Sequence, residues 1–276
     1  IYLLNFRMKN LLALSILFAV AIVSCNKEKP TEVASSIDVE QIADNNNNLA
    51  VDSVKVHDSL KIHENLTVNF KAKIVVFTTL KNNMLLDSIY APTEIRLPDY
   101  SKENLKNALD VKKNTFFEEE KNSLADFQPE FAQNWEKNSN MKLFAQDNDY
   151  LTIQYTADGY TGGAHGYYVE SYKVFDLKNN HTVQLTDIIS KKNSTLWNSI
   201  LMENFIQNDG DKGQVEMLLV KEIPLNSNFY FDKKFLYFLY NQYEITAYAA
   251  GPVLIKVPLS DIKPLLTDEF IKRQDL

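Results

Sequence analysis

The residues best suited to do chemistry lie in one short segment, Asp158–Gly166, which reads DGYTGGAHG. The chain contains only seven glycines, and four of them fall within this segment. Such clustering predicts a turn whose backbone needs positive φ angles or a very close approach to a neighbouring chain segment. We therefore expect six residues of this region either to contact a ligand or only to form the turn. They are Tyr160, Thr161, Gly162, Gly163, His165 and Tyr167.

His165 is the one side chain of this segment that titrates near neutral pH. A catalytic histidine needs a nucleophile or a metal as partner, and the sequence contains neither a GxSxG motif nor HExxH spacing. The glycine spacing also differs from the GxGxxG motif of dinucleotide-binding proteins. We therefore expect the imidazole to bond backbone groups of the turn, and we predict no catalytic residue, no metal ligand and no cofactor.

A second group of candidates is aromatic and lies between residues 229 and 248. The phenylalanines of this region are best explained as core residues. Tyrosine combines an apolar ring with a polar hydroxyl, which suits an exposed recognition surface. We therefore name Tyr243 and Tyr248 as candidate recognition residues.

The N-terminal residues have the pattern of a bacterial lipoprotein signal. A basic segment at Met8 precedes fourteen uncharged residues, Leu11–Ser24, which are too few for a membrane-spanning helix of about 20 residues. Cys25 is the only cysteine, and residues 22–24 before it resemble a lipobox. We expect residues 1–24 to be a signal peptide translated from Met8, and we expect Cys25 to carry the acyl chains; an incidental cysteine is the alternative.

Lipidation would anchor the protein to a bacterial membrane of the cell envelope, facing the periplasm or the exterior. The chain has a formal charge of −7, and removal of residues 1–24 leaves 27 basic against 36 acidic side chains, a charge of −9. This acidic balance argues against a nucleic-acid partner, because phosphates require a basic face. It is compatible with a basic protein partner such as lysozyme.

These residues must be positioned by helices and strands, and the sequence pattern predicts an α+β fold with antiparallel sheets and packed helices. An apolar content of 45% and an aromatic content of 12% exclude a disordered chain. Strand patterns occupy residues 66–80, 151–155, 167–177, 229–231, 235–240 and 253–257. Helical patterns occupy residues 102–124, 127–135, 194–207 and 258–266.

The pattern of these elements divides the mature chain into a tether and two α+β segments. Residues 25–60 are polar without a sustained apolar period, which predicts a flexible tether. Residues 61–170 form an N-terminal segment that ends in the glycine turn, and residues 171–276 form a C-terminal segment. We expect the two segments to make one compact unit.

Several of these motifs resemble a known family. The segment Tyr160–His165 (YTGGAH) resembles the TGGAH signature of a domain of unknown function. Residues 183–189, Tyr243–Pro252 and residues 257–262 agree with later elements of that domain in the same order. The domain forms the extracellular part of the lysozyme-sensing anti-sigma factor RsiV and accompanies the catalytic domain of the peptidoglycan deacetylase PdaC. The resemblance covers about Leu66 to Leu266 and implies an RsiV/PdaC-type fold.

The resemblance implies an extracytoplasmic binding module with a lysozyme-like protein or a cell-wall glycan as its ligand. Neither the metal-binding Asp and paired His of the deacetylase nor a sigma-binding segment is recognisable in the sequence. We therefore predict a lipid-anchored, non-enzymatic module of the cell envelope. The alternatives are a glycan or peptidoglycan hydrolase or deacetylase that uses His165, and a purely structural envelope protein.

Overall fold

A computed structural model describes residues 49–125, 129–147, 149–191, 193–210 and 212–276. The predicted signal peptide, Cys25 and most of the predicted tether lie outside the described residues. Within the described residues, no helix has the length and the apolar character needed to cross a bilayer.

A six-stranded sheet forms the centre of the fold, and its strands lie side by side in chain order. The strands are β1 (Val51–His63), β2 (Leu66–Phe77), β3 (Gln133–Asp147), β4 (Tyr150–Tyr160), β5 (Tyr167–Asp176) and β6 (His181–Thr182). All neighbours are antiparallel except β2 and β3, which run parallel. A parallel pair needs a long crossover connection, and here two helices supply it.

Those two helices, α1 (Asn83–Tyr90) and α2 (Lys102–Ser123), cover one face of the sheet. The Ser101 side chain accepts a hydrogen bond from the backbone N–H of Asn104 and so caps α2. Leu105, Leu109 and Phe116 are buried on α2, in the first hydrophobic core. This helix confirms the prediction for residues 102–124.

A second, three-stranded antiparallel sheet is built from β7 (Phe229–Phe231), β8 (Phe235–Tyr240) and β9 (Val253–Pro258). Around it lie α3 (Leu185–Ile188), α4 (Ser194–Asp209), α5 (Leu259–Ile262) and α6 (Asp268–Gln274), and short 3₁₀ helices at Val215–Met217, Tyr248–Ala250 and Lys263–Leu265. A further 3₁₀ helix, Ala91–Thr93, follows α1. The buried Trp197 of α4 contacts Phe238 of β8, with 6.3 Å between the ring centroids.

The two hydrophobic cores meet at β5. Side chains alternate between the faces of a strand, so Phe175 belongs to the first core whereas Tyr172 and Val174 belong to the second. A boundary between residues 170 and 171 therefore falls inside a strand that serves both cores. The α+β fold class is confirmed, with the parallel β2–β3 pair as an addition to the expected antiparallel sheets.

Two sequence predictions are wrong. Residues 51–60 belong to β1 and not to a tether, because Val54 and Val56 are buried against the first core while their neighbours face solvent. Trp135 lies in β3, paired with Val68 of β2, so no helix spans residues 127–135; Phe127 itself lies outside the described residues.

The helix α4 confirms the helical pattern of residues 194–207, and its Leu196 is 42% exposed. The buried side of this helix consists of Trp197, Leu201 and Phe205.

Candidate functional site

The glycine turn connects β4 to β5 at one end of the six-stranded sheet. Gly162 and Gly163 have φ angles of +94° and +92°, which residues with a side chain rarely adopt. The hydroxyl of Tyr160 donates a hydrogen bond to the carbonyl oxygen of Gly163 at 3.0 Å. The turn thus has the positive φ angles that the glycine clustering predicts.

The other two glycines of the segment allow close backbone contacts. A Cβ atom on Gly159 would lie 2.4 Å from the carbonyl oxygen of Glu136 in β3. A Cβ atom on Gly166 would lie 2.5 Å from the carbonyl oxygen of Gly159. Both distances are far below van der Waals contact. Glycine at these two positions therefore allows the ends of the turn to lie close to the neighbouring backbone.

A surface groove of about 450 Å³ lies beside the turn. The groove is lined by residues 160–163 of the turn and by Ser123 of α2, Phe131, Gln133 and Trp135. The indole Nε1 of Trp135 donates to the Gln133 side-chain oxygen at 3.0 Å. Phe131 is 69% exposed. The groove therefore combines aromatic rings with hydroxyl, amide and peptide groups.

A short stack of rings lies at the other end of the turn. The imidazole of His165 stacks on the Tyr248 ring, with 4.4 Å between the centroids and 28° between the planes. Both side chains reach the carbonyl oxygen of Gly166: the Tyr248 hydroxyl donates at 3.2 Å, and His165 Nδ1 lies 2.8 Å away. Tyr243 continues the stack at 5.7 Å from Tyr248. The structure thus brings together candidates that are about 80 residues apart in sequence.

Two asparagine side chains bond the backbone of β5: Asn241, which begins the loop that carries Tyr243 and Tyr248, and Asn228, which precedes β7. Asn241 Oδ1 accepts a hydrogen bond from the backbone N–H of Glu170 at 2.8 Å, and its Nδ2 donates to the Glu170 carbonyl oxygen at 3.1 Å. Asn228 Nδ2 donates to the same carbonyl oxygen at 2.9 Å. These bonds occupy the edge of β5 that no strand covers at this point, and they position the ring stack.

The remaining two candidates of the turn are exposed. Thr161 lies on the wall of the groove. Tyr167 begins β5 and is 43% exposed, and its ring lies against Gly159. Partial burial, together with the nearby carboxylate of Asp158, raises the pKa of the Tyr167 hydroxyl, so this side chain is a neutral hydrogen-bonding group at physiological pH.

The surface around the turn exposes aromatic rings, hydroxyls and peptide groups. His165 directs one ring nitrogen to a carbonyl oxygen and stacks its face on Tyr248, so its ring serves the architecture of the turn. Among the described residues, no group of three or more His, Cys, Asp and Glu side chains is arranged to hold a metal ion.

A buried ion pair that no sequence pattern predicts lies at the far end of β5. Asp176 accepts hydrogen bonds from Arg273 of α6 and from Asn179. Burial by itself would raise the pKa of this carboxyl, but the bonds from Arg273 and Asn179 lower it to about 2. The guanidinium also lies over the Tyr150 ring, 4.1 Å from its centroid. This arrangement fastens α6 to the sheet and borders a cavity of about 270 Å³.

The groove residues Phe131, Gln133 and Trp135 were also missed, because the aromatic spacing there was interpreted as a helix. The alternation of β3 gives little signal, since most of its side chains are polar and partly exposed. No local pattern in the sequence links this strand to the turn 25 residues later.

Comparison with known proteins agrees with the resemblance that the YTGGAH segment and the later motifs show. Residues 62–168 match the family described as Deacetylase PdaC, and residues 175–260 match the family described as Protein of unknown function (DUF3298). The two matches together indicate an extracytoplasmic domain of the cell envelope. No protein of curated function matches the sequence at a significant level.

Two solved structures share the fold. A DUF3298 family member from Bacteroides fragilis superposes with a TM-score of 0.65 at 21% identity, covering 82% of this chain and 97% of its own. A DUF3298 family protein from Pseudomonas aeruginosa gives a TM-score of 0.52 at 15% identity, covering 81% of this chain and 97% of its own. At these identities the likeness establishes the architecture.

Proposed function

We propose that this chain, which belongs to the family that joins a PdaC-type segment to a DUF3298 segment, is a lipid-anchored binding module of the bacterial cell envelope. It holds a ligand at the surface around the glycine turn and leaves that ligand chemically unchanged. The ligand is a cell-wall glycan or a protein of the lysozyme type.

One observation carries this proposal: the exposed aromatic side chains of the described residues all flank the turn. They are Phe131 at 69% exposure, Tyr243 at 61% and Tyr167 at 43%. Exposed aromatic rings are costly in water and are enriched where binding energy concentrates. The other aromatic side chains of the described residues are buried or half-buried. Three exposed rings around one turn therefore favour a recognition surface over a structural surface.

The backbone at Tyr243 supports the same interpretation. Its φ angle is +67°, an uncommon conformation for an aromatic residue. Residues held in such conformations cost on the order of 1–3 kcal/mol and concentrate at functional sites. In the same loop, the side-chain oxygens of Gln242 and Thr246 are buried without a hydrogen-bond partner. The conformation of this loop therefore costs stability, which favours a functional role for the loop.

Cys25 is the proposed site of lipidation, and the position of this cysteine in the chain fits the role of a membrane anchor. The described residues begin at residue 49, so 23 residues separate them from the cysteine. The mature charge of −9 favours encounter with a basic partner and disfavours nucleic acid.

Co-sedimentation with insoluble peptidoglycan, calorimetry with lysozyme and chromatography of the supernatant together test the proposal. The expected result is saturable binding of one of the two ligands with no product released. Failure of both ligands to bind would contradict the proposal. Release of glycan fragments or acetate by the parent, and not by His165→Ala, would replace it with the hydrolase or deacetylase alternative.

A further inference from the structure

The face of the six-stranded sheet opposite α1 and α2 carries basic side chains at its β1 edge. Val54 and Val56 of β1 are buried in the first core, so the residues that alternate with them face away from it. Residues directly opposite each other in paired strands share a face, and the register of β1 with β2 therefore defines a basic strip. Its members are Lys55, His57 and Lys61 of β1 and Lys71 and Lys73 of β2. Lys73 is half-buried, and the other four are exposed.

The register places like charges next to each other in the basic strip. Lys55 lies directly opposite Lys73. The Cβ atoms of such a pair are about 4.5–5.5 Å apart, and like charges at that separation destabilise a sheet. On the other side of β2, the residues opposite Lys71 and Lys73 are Asn138 and Asn140 of β3, which carry no charge to offset the repulsion. The basic strip therefore costs stability, and an anionic partner would remove that cost.

The carboxylates of β1 lie on the opposite face of the strand. The Asp52 carboxylate is 2.6 Å from Lys102 Nζ, and the Asp58 carboxylate is 3.1 Å from Lys113 Nζ. Both of these lysines belong to α2. The charges of β1 are therefore sorted by face: its carboxylates pair with the helix, and its lysines belong to the open face of the sheet.

The acidic residues of the open face lie towards the other edge of the sheet. Glu136 is on β3, Asp158 on β4 and Glu170 on β5. Two of them are already engaged, since Asp158 accepts a hydrogen bond from the Asn138 amide at 2.8 Å and Glu170 accepts one from the Tyr172 hydroxyl at 2.6 Å. The open face is thus basic at β1 and acidic towards β5. A negatively charged surface would therefore attract the β1 edge and repel the other side.

The basic strip is also close in sequence to the proposed lipid anchor. Residues 26–48 separate Cys25 from the described residues, and β1 begins at Val51. The chain from Cys25 to Val51 reaches about 90 Å at most, when it is fully extended. Acyl chains on Cys25 would therefore hold the basic strip within that distance of a membrane surface, which raises the effective concentration of lipid headgroups around it.

We infer that the basic strip docks the domain on the anionic lipid headgroups of the membrane that holds its acyl chains. The headgroup phosphates offset the repulsion between the opposed lysines, and the acidic side of the sheet faces away from the membrane. The glycine turn joins β4 to β5, three strands away from β1, so the docked domain keeps the turn free for a ligand. This inference adds a membrane-binding surface to the proposed function and rests only on its lipid anchor.

Co-sedimentation with lipid vesicles tests the inference. The protein is the mature chain with Cys25→Ser, which cannot be acylated, so that only the folded surface can hold it on a vesicle. Equimolar phosphatidylglycerol and phosphatidylcholine form the anionic vesicles, and phosphatidylcholine alone forms the neutral ones. Saturable binding to the anionic vesicles is expected at low ionic strength, with none to the neutral vesicles. At about 0.5 M salt, where the Debye length is only about 4 Å, the binding should disappear.

Matched double variants assign the binding to the basic strip. Each lysine close to an anionic surface strengthens binding roughly fivefold, so Lys55→Gln combined with Lys73→Gln should weaken binding at least tenfold. The control combines Lys221→Gln with Lys263→Gln, which makes the same change in net charge at two exposed lysines outside the six-stranded sheet, and it should change binding less than threefold. Lys55→Arg combined with Lys73→Arg keeps the charge and should bind like the parent.

Thermal melts of the same variants check the fold and the repulsion. Lys55→Gln combined with Lys73→Gln should melt at or above the temperature of the parent, because the contact between like charges is gone. A lower melting temperature would contradict the argument that the basic strip costs stability.

Three vesicle results would overturn the inference. They are absence of binding to anionic vesicles at low ionic strength, equal weakening in the strip variant and the control variant, and binding that survives about 0.5 M salt. A complex with soluble polyglycerol phosphate, in a protein that does not bind vesicles, would assign the basic strip to an anionic polymer instead. Each of these results leaves the proposed function standing, because binding of peptidoglycan or lysozyme and fractionation of the acylated protein are measured separately.

Discussion

The ion pair between Asp176 and Arg273 should make the stability of the fold depend on pH in the acid range. Asp176 is 2% exposed and the Arg273 side chain 15% exposed, so solvent screens this pair little. The arginine belongs to the C-terminal helix α6 and the aspartate to the end of β5. Replacement of Asp176 by Asn removes the charge and keeps the size of the side chain.

The size of the effect follows from the pKa of the carboxyl. Its usual value of 3.8 falls to about 2 in the folded protein, and each pKa unit corresponds to about 1.4 kcal/mol. Ionised Asp176, with its bonds from Arg273 and Asn179, therefore contributes about 2 kcal/mol to the free energy of unfolding at neutral pH. Because the folded pKa is the lower one, this contribution is complete above about pH 4 and is lost as the pH falls towards 2.

Urea denaturation of the parent and of Asp176→Asn at pH 7, 5, 4, 3 and 2 measures this contribution. The parent should lose about 2 kcal/mol more than the variant between pH 5 and pH 2, since every other carboxyl group titrates in both proteins. Asp52→Asn is the control, because Asp52 and its partner Lys102 are largely exposed, and a much smaller difference is expected there. Parallel pH curves for the parent and Asp176→Asn would refute the reasoning.

Three further predictions concern the turn and the anchor. Gly159→Ala should destabilise the fold by about 1–3 kcal/mol, since its Cβ atom would lie 2.4 Å from a carbonyl oxygen of β3. An unchanged melting temperature would contradict this prediction, because it would mean that β3 and β4 can move apart at this point without cost. Gly162→Val and Gly163→Val should each cost about 1–3 kcal/mol because of their positive φ angles. His165→Ala should cost only about 0.5–1.5 kcal/mol, the value of one hydrogen bond; thermal melts rank these variants, and parent-like melts of both valine variants would contradict the backbone argument. Cys25→Ser should move the protein from the membrane fraction to the soluble fraction of the cell, and unchanged fractionation would contradict lipidation.

The elements that the sequence predicts well are those with a strong local pattern. β2 alternates apolar and polar residues, and α2 begins at a capping serine and buries Leu105 and Leu109 on one face. The glycine turn was also found, because four glycines within nine residues of a glycine-poor chain are a local signal.

The missed elements depend on partners that are distant in sequence. β1 is an edge strand with only Val54 and Val56 fully buried, so its pattern is that of a polar linker. Trp135 and Phe131 are four residues apart, which matches the period of a helix, but pairing of β3 with β2 makes Trp135 part of a strand. Contacts between elements that are distant in sequence therefore decide that these residues form strands.

The candidate site also consists of residues that the sequence predicts and residues that it does not predict. Its turn residues could be named from the sequence, and so could Tyr243 and Tyr248. The groove could not, because it forms only when β3 and the turn meet across the sheet. The stacking of His165 on Tyr248 likewise joins two motifs through the packing of the second sheet against β5.

Hydrogen–deuterium exchange of the protein with and without ligand tests most directly whether the surface around the glycine turn is the binding surface. The ligands are solubilised peptidoglycan and, separately, lysozyme, each at saturating concentration. With at least one of them, slower exchange is predicted at residues 131–135, 160–167 and 243–248, with little change in α4 and β9. Protection confined to other regions, or no protection with either ligand, would contradict the account.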